Sequence, residues 1–319
     1  MDIIESIEIL SPGPLTTVQD LGRYGFGRYG VPPSGALDSF SLRVANLLVG
    51  NPETEAGLEI TLMGLKVRVL RDLVVALCGA DLQPHLNDKP FAMWCSQLLR
   101  KGDILFLKAP RTGCRAYLAV GGGIRVSTVL ASKSTNLASR FGGYEGRPLR
   151  TGDVLFSTSP DQYFRKAGKI FGPEGRPSLT GNWVLRVLPG PQDQDFPEES
   201  RRVLFGSSFS VSSQSDRTGI RLSGPALHRK EDLGDSIISE GIVPGAIQVP
   251  GDGQPIILLV ETITGGYRKI ATVISADLPL LGQIKPGDQA RFQEVSITEA
   301  KVMLRERENH INPLKKNPD

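Results

Sequence analysis

The residues most suited to chemistry lie between positions 239 and 292, and above all in Glu261-Thr-Ile-Thr264-Gly265-Gly266-Tyr267-Arg-Lys269. An apolar run at 255–260 leads into this segment and a β-branched run at 270–274 leads out. Such flanks read as buried strands joined by a glycine turn. Glycines without Cβ let backbone N–H groups approach a ligand, and Lys269 supplies positive charge, so the segment outlines an anion or carboxyl site. An ordinary hairpin whose glycines take positive φ accounts for the same residues equally well. Just upstream, Ser239-Glu240-Gly-Ile-Val-Pro-Gly-Ala-Ile-Gln248-Val-Pro250 holds Glu240 and Gln248 among prolines and small residues. Stiff backbone of that kind suits a preorganised site and tilts the reading toward function.

Three more polar groups stand in glycine- and proline-rich settings: Asp20 and Arg23 in TVQDLGR, Ser34 and Asp38 in PPSGALD, and Ser215, Asp216 and Arg217 in SQSDRTG. Taken singly, each is explained as a turn residue bonding its own backbone or as an arginine on a solvated face, and Asp38 as a helix N-cap. Taken together they provide carboxylates for proton transfer, while Arg23, Arg217 and Lys269 suit a carboxylate or phosphate. Gly25-Phe-Gly27-Arg-Tyr-Gly30 spells GxGxxG, yet Val-Pro-Pro follows it where a dinucleotide site needs a helix. No GxxxxGK[ST] or GxSxG occurs, and the three histidines, His85, His228 and His310, are scattered, so neither a metal site nor a histidine base is expected.

The elements that position these residues are expected to be strands. Gly 36 and Pro 23 in 319 residues favour a turn-rich β protein, with length enough for about two domains. A net charge of +3 gives no bulk attraction for nucleic acid, and no apolar run reaches the length of a membrane span. The odd set Cys78, Cys95 and Cys114, without CxxC spacing, reads as buried thiols of a cytoplasmic protein. Phe40, Val44, Leu47 and Leu48 share one face of a helix spanning 38–50, and Pro197 opens a short helix ending near Gly206. Ser296 and Glu299 form a capping-box pattern that starts a charged helix expected to run to about Arg307, with a frayed tail beyond Asn309. The segment 166–178 has the composition of a linker, which divides the chain into domains at 1–165 and 179–319. Strand-then-proline turns at 9–14 and 187–192, and Gly-Asp turns near the end of each half, suggest an internal duplication with a ligand cleft between the halves.

Read as whole motifs, SPGPLTTVQDLGR, SGALDSFSLRVANLLVGN, GGYEGRPLRTGD, SDRTG, SEGIVPGAIQVP and TGGYRKIATVISADLPLLGQIKPGD resemble the biotin-dependent carboxyltransferase family. This family includes a subunit of bacterial ATP-dependent 5-oxoprolinase and a domain of urea carboxylase. The resemblance covers the chain to about Phe292 and implies a mostly β protein of two tandem cyclophilin-like β-barrel domains with a few short helices. It implies a subunit that opens the lactam of 5-oxoproline to glutamate with ATP, alongside a kinase-inhibitor-like subunit and a third 5-oxoprolinase subunit. Biotin-dependent carboxyl transfer to urea or another small amide is the second implied role, and binding of a kinase inhibitor as a non-catalytic regulator is the third. ATP and any biotin belong to the partners, since this chain lacks both a P-loop and the Met-Lys-Met of a biotinylated carrier. On this resemblance Asp38, Glu240, Glu261 and Lys269 are the catalytic candidates. Arg23, Ser34, Ser215, Arg217, Gln248, Thr264, Gly265, Gly266 and Tyr267 are the candidates for substrate or anion binding. The loop departs from the family's Asp-x-Gln-Thr-Thr-Gly-Gly-Tyr-Pro-Lys: it is one residue shorter and lacks the Gln and the Pro.

Overall fold

The computed structural model describes residues 3–158 and 161–316, and the chain is mostly β. It falls into two compact units, the first made of residues 1–23, 34–179 and 308–319, the second of residues 24–33 and 180–307.

The first unit contains two antiparallel sheets. One has the order Val154–Thr158, Ile3–Pro12, Leu65–Val69, Ile104–Leu107, Pro84–Leu86, Lys89–Pro90, and the other Leu15–Gln19, Gly57–Thr61, Thr112–Val120, Leu73–Asp81, Ser96–Leu99. Leu65–Val69 alternates buried and exposed residues, as a strand with one solvated face must. Leu73–Asp81 is buried at every position but its last. Its inner face joins the core around Ile7, Leu58, Leu105 and Leu118, and its outer face joins a second cluster around the Ser39–Leu48 helix, which is why the sequence there is apolar without alternation. Cys78 and Cys114 are buried as expected, but Cys95 is partly exposed.

In the second unit seven strands close a barrel in the order Asn182–Pro189, Arg268–Val273, Ala246–Val249, Ile256–Leu258, Gly219–Ser223, Phe209–Val211, Gln289–Glu294. Closure comes from a parallel pairing of Asn182–Pro189 with Gln289–Glu294. Leu185, Phe209, Ile247 and Ile257 are fully buried in this unit. The two apolar runs that flank the glycines do not form a hairpin with each other. Ala246–Val249 lies between them and pairs with both.

One turn recurs three times, at Arg100-Lys-Gly-Asp103, Arg150-Thr-Gly-Asp153 and Lys285-Pro-Gly-Asp288. In each, the aspartate carboxylate accepts from the N–H of the basic residue three positions back. The glycine N–H and the aspartate C=O then bond one residue of a neighbouring strand, Val69, Ile9 and Val211 respectively. The glycines have φ of 91°, 89° and 88°, the left-handed region that disfavours a side chain.

The C-terminal helix begins with the expected box, Ser296 Oγ accepting from Glu299 N at 3.2 Å and the Glu299 carboxylate accepting from Ser296 N at 2.7 Å. It runs from Ile297 to Lys316 rather than stopping near Arg307. Tertiary contacts within the first unit overcome the poor local propensity of Asn309 and Pro313. Ile311 is fully buried with Phe40, Trp94 and Phe171, and Glu308 takes the Arg43 guanidinium in two 2.6 Å bonds. No helix among the described residues is long and apolar enough to cross a membrane.

Asp288 also accepts from the Trp183 indole at 2.9 Å and from Lys285 Nζ at 2.5 Å while 6% exposed. Replacing it with alanine strands a buried indole N–H and a charge, and is expected to cost about 2–4 kcal/mol of stability in urea unfolding. A loss below about 1 kcal/mol contradicts this account of the turn.

Candidate functional site

The barrel strand Arg268–Val273 carries two buried cations at its first two positions, Arg268 at 7% and Lys269 at 3% exposure. Burying an ammonium costs several kcal/mol unless a counter-charge is supplied, and each cation has one. Arg268 Nε donates to Asp195 at 2.8 Å. Lys269 Nζ meets Glu240 Oε1 at 2.5 Å.

A register shift between Ala246–Val249 and Arg268–Val273 brings the candidate residues together. Ile247 pairs with Ala271, but the next residue, Gln248, pairs with Lys269, so Ile270 is bulged out. A bulge re-aims the side chains beside it. Here Gln248 becomes the cross-strand neighbour of Lys269, and both side chains donate at 3.4 Å to the carbonyl of Tyr267.

Glu240 reaches Lys269 from a separate two-stranded arm, in which Glu240–Gly241 pairs with Thr264–Gly265. Gly265 is opposite Glu240 and takes no positive φ. Its need for glycine is spatial: a Cβ there overlaps the Gln248 amide and the Ile242 side chain. Gly266 passes its C=O to Ile237 N at 2.8 Å, which ties the arm to the chain entering it. A positive φ, as a simple hairpin would need, is therefore not what Gly265 supplies; it leaves room for the Gln248 and Ile242 side chains.

Gln192, which sequence reasoning did not single out, completes the cluster. Its Nε2 donates to Glu240 Oε1 at 2.7 Å, its Oε1 accepts from Lys269 N at 3.1 Å, and its own N–H donates to Lys269 O at 3.3 Å. It lies one turn beyond the strand Asn182–Pro189, in the Pro-Gly-Pro-Gln segment, where a Cβ on Gly190 overlaps the Lys269 carbonyl. The proline-glycine turn was legible, and the residue just after it was the available signal.

Electrostatics fix the state of the arm. The Lys269 ammonium, then the Gln192 amide, hold the Glu240 carboxyl below the ordinary glutamate value, so it is ionised at neutral pH. The pair is asymmetric: the Lys269 side chain is 4% exposed and the Glu240 side chain 43%. Thr264 and Tyr267 are exposed beside it.

The other candidates of this unit lie elsewhere on the barrel. Arg217 Nε meets Glu261 Oε1 at 2.7 Å, with both side chains at 5% exposure or less, and Thr218 O accepts from Leu259 N and Thr262 Oγ1. This pair locks the ends of two neighbouring strands. Ser215 exchanges hydrogen bonds with the backbone of Arg221.

In the first unit, Asp38 caps the Ser39–Leu48 helix, accepting from Ser41 N at 2.9 Å and Ser41 Oγ at 2.6 Å, while its own N–H donates to Tyr117 Oη at 2.8 Å. That hydroxyl donates to Glu59, which also accepts from Leu37 N, a buried group the sequence did not reveal. Arg23 lies over the Phe141 ring at 4.7 Å and donates to the Ser134 carbonyl. Ser34, at φ 54°, accepts from Asn136 Nδ2 at 3.0 Å. Arg23 and Ser34 thus meet through the 134–136 segment, and Asp38 serves the helix.

Comparison with known proteins gives one consistent picture. A family model described as "Carboxyltransferase domain, subdomain A and B" matches residues 29–294. The chain is 40% identical over 311 residues to a 5-oxoprolinase subunit of Escherichia coli strain K12, covering 97% of both proteins. It is 35% identical to urea amidolyase of Lachancea kluyveri, covering 97% of this chain but 18% of that one. Among solved structures, the urea carboxylase of Kluyveromyces lactis superposes with a TM-score of 0.91 at 34% identity, over 98% of this chain and 29% of that one.

Gly265→Ala is expected to push the Gln248 amide off the Tyr267 carbonyl that it shares with Lys269, without disturbing backbone. Whatever activity this site supports should fall about tenfold or more with the melting temperature changed by less than about 4 °C. A large stability loss with activity per folded molecule intact contradicts the assignment.

Proposed function

Because the chain belongs to the carboxyltransferase subdomain A and B family, we propose that it acts as one component of an ATP-dependent 5-oxoprolinase and contributes the Lys269 cluster to the site. The observation that carries this reading is the end-to-end correspondence, 97% of each chain, with a free-standing 5-oxoprolinase subunit. The urea enzymes contain the same fold as a minor part of longer polypeptides.

The cluster suits the substrate's chemistry. 5-Oxoproline has one carboxylate and one lactam, and the second unit brings together one buried ammonium and one amide donor, Lys269 and Gln248. Lactams resist water. Transfer of the ATP γ-phosphoryl group to the lactam oxygen leaves ADP and a carbon that water attacks; C–N cleavage then gives an acyl phosphate, and a second water releases phosphate and leaves glutamate. Negative charge grows on oxygen as water adds, and positioned N–H and ammonium donors stabilise it. We assign that role to Gln248, the binding of the substrate carboxylate to Lys269, and proton transfer to Glu240 once it is freed from Lys269. Thr264, Gly265, Gly266 and Tyr267 shape the wall of the arm. We assign ATP binding to the partner subunits. Arg23, Ser34, Asp38, Ser215, Arg217 and Glu261 act in this reading as framework, because each is engaged in the bonds described above.

A second reading, carboxyl transfer to a small amide, is favoured by the family model and the urea carboxylase superposition. The donors fit it as well: Lys269 and Gln248 would hold the carboxyl group of a carboxylated biotin, and the cofactor would supply that group for transfer.

Co-expression with the adjacent partner-type subunits tests the proposal. ATP-dependent glutamate formation from 5-oxoproline should require this chain, and Lys269→Ala should lower it about a hundredfold or more with the complex still assembled. Full activity without the chain, or with Lys269→Ala, contradicts it. Activity only on another amide, stimulated by biotin, moves the weight to carboxyl transfer.

A further inference from the structure

We propose that Glu240 is an internal stand-in for a ligand carboxylate, a displaceable latch that occupies the Lys269 position until a small carboxylate-bearing molecule replaces it. This rests on the reading of Lys269 as part of the site, but not on which reaction follows.

The asymmetry of the pair is the starting point. A structural ion pair such as Arg217–Glu261 buries both partners, at 4% and 5% side-chain exposure. Here the cation is as buried, at 4%, and the anion is 43% exposed. The cation's environment is fixed: Lys269 lies in a barrel strand paired on one side with Ala246–Val249 and followed by residues paired with Asn182–Pro189. The anion is carried on an arm of two residues per strand, and Ile238, two positions before it, is 93% exposed. Breaking the pair by moving Lys269 requires opening the barrel. Breaking it by moving Glu240 exposes only a carboxylate that is already half in water.

The neighbours describe what takes its place. Glu240 Oε1 accepts from two donors at once, Lys269 Nζ at 2.5 Å and Gln192 Nε2 at 2.7 Å. Gln192 is held independently of Glu240 through its bonds to the Lys269 N–H and C=O. When Glu240 leaves, an ammonium and a primary amide remain in place with a shared acceptor missing, which is a site for a carboxylate oxygen. The carboxyl of Glu240 is held ionised, so the arm and an incoming carboxylate are like charges competing for one cation. Internal competition lowers the apparent affinity of the external ligand by the fraction of molecules in which the latch is open.

This sets an unusual expectation for the chain. Glu240→Gln removes the competing charge and leaves the lysine in need of an anion, so calorimetric titration should show acetate and 5-oxoproline binding about tenfold or more tighter than to wild type. 2-Pyrrolidone, which keeps the lactam and lacks the carboxylate, should show no gain. Lys269→Met should abolish binding of both carboxylates. Gln192→Leu loosens Glu240 and removes one donor, so it should favour carboxylates less than Glu240→Gln does. Equal or weaker carboxylate binding to Glu240→Gln, an equal gain for 2-pyrrolidone, or no saturable binding to any of the proteins overturns the latch. A gain for acetate together with no turnover of 5-oxoproline by the reconstituted complex keeps the latch and removes the lactam reaction.

Discussion

A buried ammonium has to be given a partner, and the end of the barrel is arranged around that requirement. Lys269 is buried in a strand whose next two residues, Ile270 and Ala271, are apolar and enclosed, so desolvation penalises its charge and the chain must bring compensation to it. The charge is met by Glu240 on the short arm and by the Tyr267 carbonyl. Gln248, brought by a bulge in the adjacent strand, and Gln192, brought by the proline-glycine turn, hold that carbonyl, the Glu240 carboxylate and the Lys269 backbone. The glycines follow from the same need, Gly190 letting the turn lie against the Lys269 carbonyl and Gly265 leaving room for the Gln248 amide.

The first unit meets a similar requirement in the opposite way. Asp20 is 8% exposed and accepts from Gly22 N, Ser132 Oγ, Lys133 N and Ser134 Oγ, a carboxylate saturated by the chain itself. Beside it Arg23, 1% exposed, donates to a backbone carbonyl and covers an aromatic ring. The 132–136 segment is almost wholly buried although it consists of Ser, Lys, Thr and Asn, because its polar groups are spent on these bonds. Such a network specifies one backbone path and has no exposed member that can leave. The Lys269–Glu240 pair differs from this closed network in that its anion is 43% exposed.

How much was legible in the sequence follows from how local each cause is. The Ser39–Leu48 helix, its Asp38 cap and the Ser296 capping box are set by residues within one turn and can be read directly. The mostly β character follows from glycine, proline and apolar runs. The glycine segment stands out in the sequence, yet the hairpin it suggests fails because a third strand intervenes, which is a long-range pairing that alternation along a single strand does not encode. The role of Gln192 is signalled in the sequence only by its place after the Pro-Gly-Pro turn, because it depends on bonds to Lys269, far along the chain. The last turns of the C-terminal helix escape local reasoning for the same reason, their stability coming from Ile311 and Glu308 against the first unit rather than from propensity. Asp38 shows the converse limit, since a buried carboxylate in a motif and a helix cap look identical until the bonds it accepts are known.

In the latch proposed above, Lys269 is kept ready for a ligand carboxylate by an anion that gives way to it. A crystal structure of the full chain soaked with 5-oxoproline tests this most directly. The account predicts the ligand carboxylate on Lys269 Nζ and Gln192 Nε2, with Glu240 turned out to solvent and the barrel strands unmoved. Glu240 still on Lys269, with the ligand bound elsewhere or with its lactam in contact with Lys269 and its carboxylate remote, contradicts it.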